Sequence, residues 1–102
     1  QMVYTARNIK ADEALRIGLV NAVYPLAELY TAAEKLASQI AANAPIAVRA
    51  AKKAINEGLD LPMDEAVVVE EKAFGSCFET ADQQEGMGAF LEKRKHEPFT
   101  NK

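Results

Sequence analysis

The sequence predicts a mainly α-helical fold, and three observations predict it. Apolar residues recur at spacings of three and four through most of residues 26–78, the period of one buried helical face. Proline and glycine punctuate those stretches at Pro25, Pro45 and Gly58. Thr80 followed by Gln83 fits a capping box, in which each side chain satisfies a free backbone N–H of the other residue.

From the start of the chain, "ADEALRIG" has apolar Ala11, Ala14, Leu15 and Ile17, early acids and a closing Gly18. This pattern predicts a short helix with a favourable charge order and a glycine cap. "LVNAVYP" is β-branched and aromatic up to Pro25 and predicts a short strand. A lone strand needs a partner for its backbone groups, and "TARNI" at 5–9 could supply one as a small ribbon.

From Leu26 the pattern is helical, with Leu29, Ala32, Ala33, Leu36, Ala37 and Ile40 on one face. "NAP" at 43–45 ends that helix and starts another, since proline fits a first turn. The second helix turns Ile46, Ala47, Ala50, Ala51, Ala54 and Ile55 inward, keeps Arg49, Lys52 and Lys53 outward, and stops at Gly58. A third begins near "DLPMDEA" and sets Ala66, Val67, Val69, Ala73, Phe74, Cys77 and Phe78 on one side. The run Val67–Val69 favours a strand locally, while its flanking acids and the later spacing favour helix. The last helix opens at Thr80 and is expected to run through the cations to a stop at Pro98. Asp82 and Glu85 then meet the positive end of its dipole, and Lys93, Arg94 and Lys95 the negative end.

Composition narrows the function classes. A net charge of −3 gives no general attraction to nucleic acid or to anionic lipid, so any basic site must be local. A single cysteine excludes an internal disulfide, and no Cys/His spacing suggests a metal. No apolar run approaches the ~20 residues that span a membrane. The opening "QMVYT" lacks an initiator methionine and reads as mid-element, which predicts a piece of a longer chain.

Few residues suggest chemistry. Glu65, Glu70 and Glu71 could be paired carboxylates, but neighbours on a helix do not face each other, so a solvated face is the simpler reading. Cys77 lies between Phe74 and Phe78 without a local base and reads as a buried structural thiol. His96 stands beside cations and reads as a surface residue. In "DQQEGMGAFLEKRK", Gly86 and Gly88 each cost a helix about 1 kcal/mol relative to alanine, which suits a close approach by a backbone or a flat ligand. Phe90 and Lys93, three apart, offer an apolar plate and a cation, a suitable pair for a purine and a phosphate. On spacing alone the plainer alternative stands: Phe90 as a core residue and Lys93 as a charge facing the helix dipole.

"TARNIKADEALRIGLVNAVYP", "ANAPIAVRAAKKAINEG" and "EEKAFGSCFETADQQEGMGAFLEKRK" together resemble the C-terminal third of the crotonase superfamily. The likeness is greatest to bacterial enoyl-CoA hydratases, including 3-hydroxybutyryl-CoA dehydratases. "ADEALRIGLVN" is common to the superfamily, whereas "CFETADQQEGMGAFLEKRK" is more typical of hydratases; relatives vary at "KHEPF".

The resemblance implies the helical cap and oligomerisation region of the crotonase fold. It would form a single region, with the short helix and strand at 1–25 and the assembly helices at 26–102. It implies a parent that adds or removes water across the 2,3 double bond of a CoA thioester, using two glutamates and an oxyanion hole of two backbone N–H groups. Those groups belong upstream, so none of Glu13, Glu28, Glu65, Glu70 or Glu71 is catalytic and the chain alone is expected to be inactive. Phe90 and Lys93 match residues that contact the adenine nucleotide of CoA, often from a neighbouring subunit, and this favours the ligand reading of the pair.

Further implications are a cytoplasmic homo-oligomer, a trimer or dimer of trimers, with no metal or redox cofactor and neither nucleic acid nor membrane as partner. An enoyl-CoA isomerase and a non-catalytic helical interaction domain are the alternatives. Upstream sequence separates them: two glutamates at the hydratase positions, one, or none.

Overall fold

Every regular element in the computed structural model, which describes all 102 residues, is an α-helix. Contacts divide the chain into two units, Gln1–Lys35 and Leu36–Lys102, with the division falling inside the third helix.

The first unit holds α1 (Met2–Thr5), α2 (Ala11–Arg16) and the start of α3 (Leu26–Ala41). Asp12 and Glu13 occupy the first turn of α2 and Arg16 its last, the order that the helix dipole favours. Gly18 then takes φ 74°, a left-handed conformation that glycine adopts without a Cβ clash. Its N–H bonds the Leu15 carbonyl at 3.1 Å, and the Leu19 N–H bonds that of Ala14 at 2.9 Å. This is a Schellman closure, as the glycine position predicts.

The expected strand and ribbon are absent, because their backbone donors are committed to local bonds. The N–H groups of Leu19 and Val20 both point to the Ala14 carbonyl, at 2.9 and 3.4 Å. Thr5 bonds the Gln1 carbonyl through its N–H at 3.0 Å and its hydroxyl at 2.9 Å, which closes a helical turn where a partner strand would begin. Residues 19–25 form turns and irregular chain.

The second unit holds the end of α3, then α4 (Pro45–Gly58), α5 (Met63–Cys77) and α6 (Ala81–Leu91). Pro45 stands at the start of α4, and the Val67–Val69 run is helical within α5, where packing and flanking acids outweigh β-propensity. α4 and α5 pack on each other. Their axes come close enough that a Cβ on Gly58 would lie 3.4 Å from that of Ala66.

Burial is less than the periodicity predicts. Ala14 and Ala89 are the only buried apolar residues, whereas Leu29, Leu36, Ile40, Phe74 and Phe78 all stay substantially exposed. Their faces are apolar by pattern, but the chain's own atoms do not cover them.

All four free N–H groups at the start of α6 find acceptors, the full accounting that a helix end requires. Gln83 donates to the Thr80 hydroxyl at 3.1 Å and the Thr80 N–H to the Cys77 carbonyl at 3.1 Å. Ala81 and Asp82 donate to the Lys102 backbone oxygen at 2.8 and 3.4 Å, so the returning tail completes the cap. Thr80 also donates its hydroxyl proton to the Cys77 carbonyl at 2.7 Å, joining the end of α5 to the start of α6. The Thr80 half of the capping box therefore forms. The Thr80 N–H itself goes to Cys77 rather than to Gln83.

Thr80→Ala removes the acceptor of one helix-end donor and the donor to Cys77, and should cost about 1 kcal/mol of stability in urea denaturation. A change below about 0.3 kcal/mol would show that solvent replaces this cap freely.

Candidate functional site

The candidate residues gather at the end of α6 and on the tail that returns along it. α6 stops at Leu91, earlier than the cation run predicts. Glu92 caps it, and Lys93 turns left-handed at φ 54°. The Lys93 N–H bonds the Phe90 carbonyl at 3.2 Å and the Arg94 N–H bonds that of Ala89 at 3.0 Å, a second Schellman closure. The position that usually holds glycine here holds a lysine, at a conformational cost of about 1–2 kcal/mol. Lys93, Arg94 and Lys95 thus lie beyond the helix, and Phe90 and Lys93 do not share a helical face. Phe90 sits in the last turn, 77% exposed as a residue, which rules out a core role within this chain. Lys93 is exposed too, and no hydrogen bond or salt bridge engages its ammonium.

Arg94 folds back over α6. Its guanidinium grips both oxygens of Glu85, at 2.6 and 3.0 Å, and reaches Glu92 at 2.6 Å. Glu85 also accepts the Glu97 N–H at 2.8 Å. Further on, Asp82, 2% exposed, accepts the Thr100 N–H at 2.6 Å, the Thr100 hydroxyl at 3.1 Å and the Asn101 N–H at 2.9 Å. Arg49 of α4 donates to the Asn101 side chain at 2.7 Å. The two acids assigned to the helix dipole are therefore anchors for the tail.

The two glycines face this tail. A Cβ on Gly86 would lie 3.7 Å from the Phe99 ring, and one on Gly88 would lie 3.8 Å from the Arg94 guanidinium. These are ordinary contact distances, so the close approach is by side chains of the chain itself. Phe99 in turn stacks on His96, with centroids 4.3 Å apart. The exposed His96 donates from Nδ1 to the Glu97 carbonyl at 2.8 Å, since a carbonyl can only accept.

The electrostatics follow the geometry. The hydrogen bond from Arg94, then that from the Glu97 N–H, holds the Glu85 carboxyl down at about 2, and the bonds to Glu85 and then Glu92 raise Arg94. Burial pushes Asp82 up. The bonds from Thr100 and Asn101 outweigh it and leave the carboxyl below its usual range.

Elsewhere the candidates do not converge. Glu13 pairs with Arg7 at 2.8 Å, and Glu28, Glu65 and Glu71 are exposed. Cys77 is half-buried rather than fully enclosed. Its thiol meets the Ala73 carbonyl at 3.4 Å, and it lines an apolar groove of about 520 Å³ between α4 and α5 with Phe74 and Glu70. No three His, Cys, Asp or Glu side chains are placed to hold a metal ion. No helix is long and apolar enough to cross a membrane.

The enoyl-CoA hydratase/isomerase profile matches residues 1–102, and the chain belongs to that family. Among its relatives, a short-chain enoyl-CoA hydratase of Clostridium acetobutylicum is 53% identical over all 102 residues, which cover 39% of that protein. A crotonyl-CoA hydratase of Syntrophomonas wolfei is also 53% identical, over 93% of this chain and 36% of its own length. The crystal structure of a Bacillus anthracis enoyl-CoA hydratase superposes with a TM-score of 0.89 at 39% identity, over 97% of this chain and 38% of that one. The chain thus spans under two-fifths of the length of these relatives.

The Asp82 and Glu85 anchors escape a reading by helical period, because their partners lie 9 to 19 residues away on irregular chain. The one sequence signal is an arginine nine residues after Glu85; the helix end that lets the two meet is visible only in the structure.

Because Glu85 is depressed in the folded state, its contribution to tail docking is complete above about pH 4.5 and is lost as pH falls toward about 2. The Glu97 amide resonance should keep its hydrogen-bonded shift through pH 4 and lose it with a midpoint near 2. Glu85→Gln should abolish that titration, whereas a wild-type midpoint above 4 would contradict the anchor.

Proposed function

We propose that the protein carrying this chain hydrates the 2,3 double bond of an enoyl-CoA thioester, or dehydrates a 3-hydroxyacyl-CoA in reverse. In this reading residues 1–102 hold the CoA nucleotide and help to assemble a trimer or dimer of trimers. The two catalytic glutamates and the oxyanion hole lie in other parts of the protein. The observation that carries the nucleotide role is an exposed Phe90 at the end of α6, with an unpartnered lysine ammonium in the turn that follows, in a chain so similar to hydratases. Phe90 supplies a face for adenine, and Lys93 a cation for a phosphate. Double-bond isomerisation is the second reading, because the matching family description includes both activities. Counting the glutamates at the upstream catalytic positions distinguishes the two.

Two outcomes test the proposal. The 102-residue chain alone should leave the enoyl absorbance of crotonyl-CoA unchanged. Turnover that survives repurification would place catalytic groups within residues 1–102.

In the full-length protein, Lys93→Ala removes a contact remote from the reacting bond, equal in ground and transition states, and so should act on KM. A screened lysine–phosphate contact is worth about 0.5–1.5 kcal/mol, so KM for crotonyl-CoA should rise about two- to twelve-fold. Pantetheine thioesters, which carry no nucleotide, should show little of this, and Phe90→Ala should share the substrate dependence with less sensitivity to salt. An equal fall in kcat on both substrates would instead assign Lys93 to folding or assembly.

A further inference from the structure

Lys93 is held from both sides. Its backbone is fixed in the left-handed conformation by the Schellman bonds to Phe90 and Ala89. The residue before it, Glu92, and the residue after it, Arg94, are joined across it by a 2.6 Å salt bridge. Arg94 is itself pinned to the body of α6 by the two-pronged bond to Glu85, which also takes the Glu97 N–H. A single exposed ion pair usually contributes little. Here one planar guanidinium meets two carboxylates, a geometry that lysine cannot reproduce, and it closes a ring of contacts around one residue. The ammonium of that residue makes no hydrogen bond or salt bridge.

We propose that Arg94 is a positioning residue: by bridging Glu85 and Glu92 it fixes the left-handed turn that aims the Lys93 ammonium at a phosphate of the CoA nucleotide. The inference rests on the nucleotide reading of Lys93 given above. Arg94 does not meet the ligand. Both prongs and the Nε of its fork are spent on Glu85 and Glu92, so its guanidinium is already committed within the chain. Losing the bridge leaves Lys93 charged but lets its turn relax, and a contact made only in one orientation weakens.

The test measures, in the full-length enzyme, the ratio of KM for crotonyl-CoA to KM for crotonyl-pantetheine. Arg94→Ala should raise this ratio about two- to fivefold. Arg94→Lys, which keeps the charge and loses the fork, should raise it in the same direction, and so should Glu85→Gln from the other side of the bridge. In the Lys93→Ala background, Arg94→Ala should add nothing, because the residue acts through Lys93. Full additivity there would mean that Arg94 touches the nucleotide itself, and would overturn the proposal. Equal KM shifts on both substrates, or a ratio that only the lysine substitution at 94 preserves, would also overturn it. If Lys93→Ala raises the ratio and the Arg94 and Glu85 variants do not, the positioning role alone falls. If Lys93→Ala leaves the ratio unchanged, the nucleotide reading falls and takes this inference with it.

Discussion

Two carboxylates three residues apart on α6 hold the last ten residues of the chain in place. Asp82 gathers the backbone of Thr100 and Asn101, and Glu85 gathers Arg94 and the backbone of Glu97. Because the tail is held there, its backbone can cap the start of α6, Phe99 can cover Gly86, and Arg49 of α4 can reach Asn101. Long-range order in this part of the second unit is thus polar. Apolar burial contributes little of it, since Ala89 is the only apolar residue of that unit out of contact with water.

The scarcity of buried apolar groups contrasts with the strength of the apolar patterning. α3 and α4 are both strongly amphipathic, yet neither has a buried residue. α4 and α5 meet through small side chains, which brings their backbones together and leaves an open apolar groove along the seam. Patterning records which face avoids water in the whole protein; burial records what this stretch of chain can cover.

This distinction explains how much of the fold was legible in the sequence. The starts of α2, α4 and α6 and the ends of α2 and α4 follow from local chemistry, namely acids in a first turn, Pro45, the Thr80 hydroxyl, Gly18 and Gly58, and they stand where the residues predict. The strand at residues 19–25 was misread because β-branched composition is a weak signal beside a Schellman closure that takes its first two donors. The end of α6 was misread for a related reason. Nothing in "EKRK" breaks a helix, and the turn at Lys93 depends on partners up to nine residues away. Phe90 and Lys93 stand out in the sequence by residue type, but the shared helical face that their spacing predicts is lost where α6 ends before Lys93. The acids and arginine that shape their surroundings were legible only as charges on a dipole.

If position 93 has the nucleotide role proposed above, its left-handed turn sets stability against binding. For the chain by itself, position 93 asks for glycine, which relieves the strain of that turn at a smaller cost in unfolded-state freedom. A library sorted for heat resistance would accordingly drift toward glycine there, and a consensus weighted by stability would choose the same residue. Under the nucleotide role proposed for Lys93, a library sorted for growth on scarce substrate would instead hold the lysine.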